Sequence, residues 1–373
     1  MLKSFVVILI TITNLYAAHI DDVSGLNATE INQLLVVPQK DHLIFLQQTL
    51  KNASNHKTPI SIRGIQHSQG GHTFYSRGIV LDLANLNDMH MIGPTVLRVQ
   101  AGAHWKQVIE FLNSLHVSVS VMQSDYDFSI GGSVSTNVHG WPANKAPIIE
   151  TVQGFHLLLA DGSLIYCSRS ENVELFRAVI GGYGLLGIIV DVDLLVVPDN
   201  QYQLQQKVIK SEQFFDYFQN LVQNNAKARM FFARFSLESS NFLDNIVFRV
   251  YEDTGELAKN SKLLKNRGFD AIFKWLFSKT AKSDFYKHIR WEIEANEVIA
   301  QLFGKLPRNQ LLYHSVNDYL GAGASSTDLL QEYFVPVARF NEFTNYLKTL
   351  QPELIDSLMN ITIRYVKRTK PAS

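Results

Sequence analysis

The sequence has almost no cysteine and no excess of charge of either sign. Cys167 is the single cysteine among 373 residues, which excludes an internal disulfide and a cysteine-ligated zinc cluster. No motif surrounds it, so we interpret it as a packed thiol and predict no metal site. The 34 basic and 34 acidic residues give a formal net charge of zero. This balance argues against nucleic acid as a partner.

The N-terminal apolar run, Phe5 to Ile12, is too short to span a membrane comfortably. Lys3 precedes it, and small residues suited to cleavage follow at Ala17 and Ala18. We therefore expect residues 1–17 to be a secretory signal peptide, with export to the periplasm or the cell exterior. The alternative is a retained N-terminal anchor.

The stretch from Pro59 to Leu83 contains the glycine loop, which we define as residues 63–72. Short β-branched runs on both sides predict strands, and three glycines within eight residues allow positive φ and close approach to a ligand. The loop lacks the Gly-Lys-Ser/Thr ending of a phosphate-binding Walker loop, and no helix follows it as in a dinucleotide fingerprint. It therefore predicts a backbone phosphate cradle with His67 at its centre. The alternative is a glycine-rich hairpin whose histidine faces water.

The residues before this loop predict a βαβ unit. Leu34 to Val37 form a strand, Asp41 caps the following helix, and the strand at Ile60 completes the unit. The glycine loop then leaves the carboxyl end of a parallel strand, where ligands bind in many α/β sheets.

A second polar stretch, residues 129–140, follows a strand at Val96 to Gln100 and a helix with a core stripe from Trp105 to Leu112. Its paired glycines, hydroxyl residues and asparagine supply N–H and O–H donors. We interpret it as a second ligand wall; the alternative is an ordinary polar loop.

The next segment predicts a hairpin around Asp161-Gly162 and then a helix capped by Ser170 that ends at Gly181-Gly182. From Ile188 to Val197 apolar residues alternate with Asp191 and Asp193, so we expect one buried face and one wet face.

After a boundary at residues 198–200 the pattern changes to strands and helices of an α+β unit. Leu329 to Pro336 and Ile361 to Val366 are predicted as strands joined through a helix at Phe340 to Leu350. Residues 259–290 are basic and interleaved with aromatic residues. They predict a solvated helix with an apolar packing face, and peripheral contact with an anionic membrane is the alternative.

Three blocks in order resemble the PCMH-type FAD-binding domain of the vanillyl-alcohol oxidase superfamily: residues 63–83, residues 130–140, and residues 181–198 with the hairpin before them. Similar families include the aldonolactone and alditol oxidases, the decaprenylphosphoryl-ribose oxidases and the cytokinin dehydrogenases. The resemblance implies an α+β fold with a two-subdomain FAD-binding domain over residues 26–198. It also implies a substrate or cap domain with an antiparallel sheet over residues 201–373. Family members usually continue further, so we expect this cap to be minimal or shortened.

The resemblance also implies a bipartite FAD site, with the flavin either bonded covalently to His67 or bound beside it without a covalent bond. Arginine and glycine usually precede that histidine, and Ile65 and Gln66 stand there in this chain. Ile188 is expected to lie against the cofactor. The expected cofactor-binding residues in the two walls are Arg63, Gly64, Ile65, Gln66, His67 and Ser68, and Gly131, Gly132, Ser133, Ser135, Thr136 and Asn137.

The implied activity is FAD-dependent oxidation of a CH–OH group in a sugar-derived, aldonolactone-like or polyol-like small molecule, with oxygen or a quinone as electron acceptor. The candidate catalytic residues are His139, Arg364 and, as a weaker base, Glu332. A glutamate that usually stands two positions before the arginine is Thr362 here. The alternatives are C–N oxidation, as in the cytokinin dehydrogenases, and flavin binding without turnover.

Overall fold

The computed structural model describes residues 18–258, 262–264, 270–280, 283–301, 304–316 and 327–368. The strands are β1 (Ala18–Ile20), β2 (Thr29–Ile31), β3 (Gln33–Val36), β4 (Ile60–Arg63), β5 (Ile79–Asp82), β6 (Met89–Gly93), β7 (Val96–Gln100), β8 (Val117–Val119), β9 (Val152–Leu158), β10 (Leu164–Ser168), β11 (Ile188–Pro198), β12 (Asn200–Lys210), β13 (Ala228–Phe235), β14 (Asn245–Leu257), β15 (Lys305–Pro307) and β16 (Thr362–Ile363). The helices are α1 (His42–His56), α2 (Trp105–Ser114), α3 (Ile130–Ser135), α4 (Val173–Val179), α5 (Phe214–Phe218), α6 (Asp270–Thr280), α7 (Asp284–Ala295), α8 (Glu297–Gln301), α9 (Arg308–Leu312), α10 (Phe340–Thr349) and α11 (Gln351–Leu354).

The predicted βαβ unit is present, with one strand inserted. β3 and β4 are joined by α1 and both pair in parallel with β5, which lies between them. The glycine loop therefore leaves the carboxyl end of β4, as expected. Asp41 does stand at the start of α1, but its side chain makes no capping hydrogen bond.

A second, antiparallel sheet has the strand order β10-β9-β11-β7-β6, and β8 also pairs with β11. The hairpin of β9 and β10 forms as predicted around the Asp-Gly turn. The apolar stripe of α2, from Trp105 to Leu112, is fully buried in the core beside this sheet. Ser170 does not cap α4, because the helix begins after Asn172.

The polar face of β11 is less exposed to solvent than expected. Asp193 is almost fully buried, and both of its carboxylate oxygens accept from Arg98, at 2.7 Å each. Tyr166 also donates to Asp193 at 2.8 Å. This prediction was wrong for Asp193 because cross-strand neighbours supply partners that the alternation of a single strand does not reveal.

The third sheet contains the later strands in the order β15-β12-β14-β13-β16, all antiparallel. We call residues 200–368 the cap region. Its own apolar core includes Phe218, Phe231 and Phe248. The predicted strand at Leu329 to Pro336 is wrong, because residues 327–336 have no regular secondary structure. The predicted strand at Ile361 to Val366 shrinks to β16.

Two of the basic residues between 259 and 290 are buried in the cap region. Lys287 donates to the carbonyl of Ile355 at 2.7 Å, and Arg290 donates to Asn360 at 2.9 Å. Residues 259–261, 265–269 and 281–282 lie outside the described residues. No helix in the described part of the chain is both long enough and apolar enough to cross a bilayer. The mixture of helices and sheets agrees with the α+β class.

Candidate functional site

The first wall of the candidate site is the part of the glycine loop directly after β4. Residues 64–68 donate no backbone hydrogen bond to another described residue. Two later amides are already occupied, because Gly70 donates to Ser24 at 3.0 Å and Gly71 donates to Asp22 at 2.6 Å. Backbone amides without a protein partner are what an anion cradle requires. The structure thus narrows the predicted cradle to residues 64–68.

Gln66 turns this loop in the left-handed region that favours glycine. Its φ is 57°, a conformation that costs a non-glycine residue about 1 kcal/mol. The Gln66 carbonyl accepts from Val23 at 2.8 Å, and its side-chain amide donates to the carbonyl of Asp21. The turn that glycine usually makes before this histidine is therefore retained by contacts with the preceding segment.

The second wall is a short helix rather than the polar loop considered as its alternative. It comprises α3, and Ser129 precedes it and accepts from the amide of Gly132. The two walls touch, because a Cβ atom added to Gly64 would lie 2.2 Å from the Ser129 hydroxyl oxygen. A Cβ atom on Gly131 would lie 3.0 Å from the Cβ atom of Ala101. The glycines therefore permit close backbone approach where the walls meet.

The predicted residues of the second wall have different roles. The Ser133 hydroxyl lies in the core, where it accepts from Trp105 at 2.8 Å and donates to Gln123 at 3.0 Å. Thr136 is exposed and donates back to Gly132 at 3.0 Å. Asn137 has a φ of 49° and accepts from the amide of Ile149 at 3.3 Å. The Ser133 hydroxyl thus forms both of its hydrogen bonds with other residues of the core, so we do not expect it to contact a ligand.

The end of α3 is joined to the loop before β11. Gly181 donates to the carbonyl of Val134 at 3.1 Å, and Tyr183 donates to the carbonyl of Ser135 at 2.9 Å. Ile188 is buried at the first position of β11, opposite Leu158. Helix α3, which contains Ser135, is therefore hydrogen-bonded to the loop at 181–187. This loop leads directly to Ile188 and β11.

The glycine loop also carries Arg63 and His67. Arg63 pairs with Asp82 at 3.4 Å across β4 and β5. The ring of His67 lies 4.9 Å from the ring of Phe128, next to the second wall. Burial lowers the pKa of His67, and the nearby Asp127 opposes this shift. The imidazole is therefore held in its neutral form close to the junction of the two walls.

These features fit a bound dinucleotide. Residues 64–68 provide backbone amides without described partners, and the glycines at 64, 131 and 132 allow close approach. This donor set suits a pyrophosphate without a lysine.

The three candidate catalytic residues lie together, although they are far apart in the chain. His139 Nε2 lies 3.2 Å from Glu332 Oε2. Arg364 contacts the other carboxylate oxygen of Glu332 and also donates to the Ser124 hydroxyl at 3.1 Å. Glu332 thus contacts both the imidazole of His139, which precedes β12 in the chain, and the guanidinium of Arg364 in the cap region.

The charge state of this cluster follows from its contacts. The hydrogen bond with His139 and the charge of Arg364 lower the pKa of Glu332 despite its partial burial. An ionised carboxylate only accepts, so His139 Nε2 carries the shared proton. His139 Nδ1 is buried and has no hydrogen-bond partner among the described residues. A neutral His139 therefore keeps an unused lone pair at Nδ1.

Glu332 is carried by residues 327–336, which we call the crossing segment. Gln69 of the glycine loop donates to the carbonyl of Asp328 at 3.2 Å and accepts from the amide of Leu330 at 3.1 Å. Further along, the ring of Phe334 lies 5.6 Å from the ring of His139. The crossing segment therefore runs from the glycine loop to the three candidate catalytic residues.

The residues after His139 join the second wall to the cap region. Trp141 stacks on Phe232 of β13 with ring centres 4.6 Å apart, and its carbonyl accepts from Phe231 at 2.8 Å. His139 is thus fixed where the second wall meets the cap sheet.

Sequence reasoning missed Ser124 and Gln69. Ser124 lies in a stretch without a recognisable motif, and only the structure brings it to Arg364. Gln69 follows Ser68 in the glycine loop, so its position in that loop was a usable signal.

Comparison with known proteins identifies the family to which part of this chain is similar. Residues 39–168 match the family described as FAD binding domain. The chain therefore contains an FAD-binding domain of the PCMH type, and FAD is its cofactor.

Several relatives of this chain are oxidases or dehydrogenases by name. The D-arabinono-1,4-lactone oxidase of Yarrowia lipolytica is 30% identical over 182 residues, which are 47% of this chain and 34% of the relative. Cytokinin dehydrogenase 2 of Arabidopsis thaliana is 29% identical over 149 residues, 39% of this chain and 30% of the relative. Decaprenylphosphoryl-beta-D-ribose oxidase of Mycolicibacterium smegmatis is 25% identical over 167 residues, 44% of this chain and 36% of the relative. The chain spans less than half the length of these curated relatives.

Proposed function

We propose that this protein is an FAD-dependent oxidoreductase that oxidises a CH–OH group of a sugar-derived, aldonolactone-like or polyol-like substrate. The observation that carries the proposal is the cluster of His139, Glu332 and Arg364 beside the two FAD walls. Two relatives named for sugar-derived compounds, the lactone oxidase and the ribose oxidase, support this substrate class.

In this proposal His139 is the general base. Its Nδ1 atom is buried and without a described partner, and its Nε2 proton is held by the carboxylate of Glu332. A neutral imidazole held in one orientation accepts a hydroxyl proton efficiently. Glu332 is too strongly stabilised as an anion to be the better base, so it positions His139 and supports the positive charge that forms there.

Arg364 binds the polar part of the substrate in this proposal. Ser124 and Glu332 hold its guanidinium from two sides, in the FAD-binding part and in the crossing segment. A guanidinium held in one plane presents its remaining N–H groups to oxygen atoms in a defined direction. Bound FAD supplies the hydride acceptor, and these side chains supply proton transfer and orientation.

Two alternatives follow from specific features. The cytokinin dehydrogenase relative favours oxidation of a C–N bond, for which the same base and acceptor suffice. The absence of a carboxylate at Thr362, in β16 and two positions before Arg364, favours a substrate other than a polyol. A flavin-binding protein without turnover is the third possibility.

We also propose that the protein is exported and that oxygen or a quinone reoxidises the flavin. The Lys3 and Phe5-to-Ile12 pattern supports export. We also propose peripheral membrane contact through residues 259–290. Two exposed aromatic residues of this segment, Trp275 and Phe285, support it.

The test is anaerobic reduction of the bound flavin by a panel of sugars, lactones, polyols and amines. Bleaching of the flavin absorbance by a sugar-derived alcohol or lactone, but not by amines, is the expected result. Reduction by amines alone would favour the C–N alternative. If dithionite reduces the flavin but no donor in the panel does, the oxidoreductase proposal fails. Reoxidation by oxygen and by a soluble quinone, followed by stopped flow, identifies the acceptor.

A further inference from the structure

The segment before β3 packs directly on the glycine loop. We call residues 18–31 the N-terminal hairpin, because β1 and β2 pair within it. It lies outside residues 39–168, which match the FAD-binding family. Ile20 and Ile31 are buried with Val80 of β5, and Phe74 packs against this small cluster. The N-terminal hairpin therefore has an apolar anchor of its own on the sheet that carries the glycine loop.

A buried carboxylate links the N-terminal hairpin to the end of the glycine loop. Asp22 is 7% exposed and accepts from the amide of Gly71 at 2.6 Å. Its other oxygen accepts from the amide of Ser24 at 2.9 Å and from the Ser24 hydroxyl. Ser24 in turn accepts from the amide of Gly70 at 3.0 Å. One carboxylate and one hydroxyl thus fix two consecutive glycine amides.

The geometry at Gly71 requires glycine. Its φ is 68°, and an added Cβ atom would lie 2.3 Å from the Cβ atom of Asn27 in the N-terminal hairpin. The loop and the hairpin are therefore in close backbone contact, which only a residue without a side chain permits.

A second link holds the start of the same loop. The amide of Val23 donates to the carbonyl of Gln66 at 2.8 Å, and the Gln66 side chain donates to the carbonyl of Asp21. These contacts retain Gln66 at its φ of 57°. The loop is thus fixed at residue 66 and again at residues 70–71, and His67 and Ser68 lie between the two links.

We propose that the N-terminal hairpin is part of the FAD site and that Asp22 is a positioning residue for the cofactor. By holding the amides of Gly70 and Gly71, Asp22 and Ser24 fix the loop in a form in which the amides of residues 64–68 are left for the pyrophosphate. A loop that is ordered before binding loses less conformational entropy when FAD binds. The inference concerns cofactor affinity and is independent of the substrate that is oxidised.

The test replaces Asp22 by asparagine, which has nearly the same shape. Asparagine keeps one acceptor, so its NH₂ group must face either the Gly71 amide or Ser24, where a second donor stands. Charge-assisted hydrogen bonds to backbone amides are the stronger kind. We therefore expect the dissociation constant for FAD to rise about tenfold or more in Asp22→Asn. The control is Asp161→Asn, because Asp161 accepts from the amide and the hydroxyl of Ser163 in the turn between β9 and β10, as Asp22 does from Ser24.

Two measurements on apoprotein from flavin-depleted cells decide the matter. The first is titration with FAD followed by quenching of flavin fluorescence, with every variant in a His67→Ala background so that binding is reversible. The second is hydrogen exchange of peptides that cover residues 64–72. Weaker FAD binding together with faster exchange of this loop, at an unchanged melting temperature of the apoprotein, supports the proposal. Wild-type FAD affinity in Asp22→Asn overturns it.

A second variant covers the case in which Asp22→Asn unfolds. Ser24→Ala removes the acceptor for Gly70 and the hydroxyl that donates to Asp22, and it leaves the carboxylate in place. We expect about three- to tenfold weaker FAD binding, which corresponds to the loss of one ordinary hydrogen bond. If Ser24→Ala folds and binds FAD as tightly as the wild type, the N-terminal hairpin is a structural neighbour of the site and not part of it.

Discussion

Glu332 and His139 lie 3.2 Å apart between Oε2 and Nε2, although 193 positions separate them in the chain. His139 follows α3 in the second wall of the candidate site, whereas Glu332 belongs to the crossing segment of the cap region. The contact therefore exists only when the FAD-binding part and the cap region are docked. Arg308 of the cap region contributes to this docking, because its buried guanidinium donates to the carbonyls of Ser120 at 2.6 Å and Val119 at 3.1 Å.

The first prediction concerns this pair. Glu332→Gln should keep full flavin content and lose turnover by about 10²-fold, because an amide does not stabilise the imidazolium that forms at His139. Steady-state kinetics with the best donor of the panel measures the effect. The matched control is Glu342→Gln, whose carboxylate forms an exposed ion pair with Arg339. Equal activity of Glu332→Gln and the wild type would show that Glu332 does not assist the base.

The pH dependence gives a second readout for the same pair. The pKa of Glu332 is lowered, chiefly by the hydrogen bond with His139, from a usual value of 4.5. A depressed pKa means that the ionic contacts are fully present above about pH 4.5 and are lost as the pH falls through the lower folded value. We therefore expect the free energy of unfolding of the wild type to fall as the pH drops below about 4.5, measured by urea unfolding at a series of pH values. This loss should be smaller in Glu332→Gln, because its amide does not titrate.

The second prediction concerns Arg364. Arg364→Ala should retain flavin and lose turnover, because its guanidinium is held by Ser124 and Glu332 and not by either FAD wall. Arg364→Lys should restore little, because a point charge does not replace a planar fork. Flavin content and kcat/KM are measured together, with Arg339→Ala as the exposed control. Loss of flavin from either Arg364 variant would place the arginine in the cofactor site.

The third prediction tests the junction of the two walls. A side chain at Gly64 or Gly132 must displace Ser129, since the added Cβ atoms would lie 2.2 and 2.9 Å from its hydroxyl oxygen. Strain of ~1–3 kcal/mol lowers FAD affinity by about one to two decades. Purified Gly64→Val and Gly132→Val should therefore be largely apoprotein. Gly93→Val is the control, because an added Cβ atom meets nothing within 4 Å there. Wild-type flavin content in both variants would mean that the site lies elsewhere.

Local pattern predicted those parts of the fold in which one stretch of chain determines its own structure. The strands around the glycine loop, helix α2 and the Asp-Gly hairpin formed as expected, because apolar spacing and turn residues act over a few positions. The predicted strand around Glu332 failed for the opposite reason. This segment forms its hydrogen bonds with Gln69 and His139, in distant parts of the chain, and not with a neighbouring strand.

The candidate site also contains residues that the sequence indicated and residues that only the folded chain brings into place. The candidate residues His139, Glu332 and Arg364 were named from the sequence and the resemblance, and the structure brings them together. Ser124 and Asp22 had no such signal, because each acts through a contact that depends on chain folding over long separations. Buried acceptors of this kind are visible only once backbone donors are placed.

The fourth prediction is cleavage of the signal peptide near Ala17. Strand β1 begins at Ala18 and pairs with β2 through Ile20. Cleavage after Ala17 would therefore leave the N-terminal hairpin whole, whereas cleavage a few residues later would remove the strand that anchors it. N-terminal sequencing of the exported protein should give a terminus at or just before residue 18. Intact protein with Met1 in the cytosol would contradict export.

The last prediction is that FAD is attached covalently through His67. The imidazole lies next to the open amides of residues 64–68 and against Phe128, at the junction of the two walls. Burial lowers its pKa, so the neutral, nucleophilic form dominates at pH 7. Gln66, which replaces the usual glycine, still makes the turn at a φ of 57°, so the loop presents His67 much as a glycine-containing loop would. A covalent bond would also prevent loss of the cofactor outside the cell.

The measurement is denaturation of the holoprotein in acid, followed by electrophoresis and inspection for flavin fluorescence in the protein band. We expect fluorescence that stays with the wild-type polypeptide and is absent from His67→Ala, which should still bind FAD reversibly through the backbone amides. His72→Ala is the control, because His72 lies in the same loop beside Tyr183, with ring centres 6.1 Å apart, and not at the junction of the walls. Quantitative release of flavin from the wild type would make His67 a non-covalent contact. In that case the tight retention of FAD would depend on the loop that Asp22 and Ser24 hold in place.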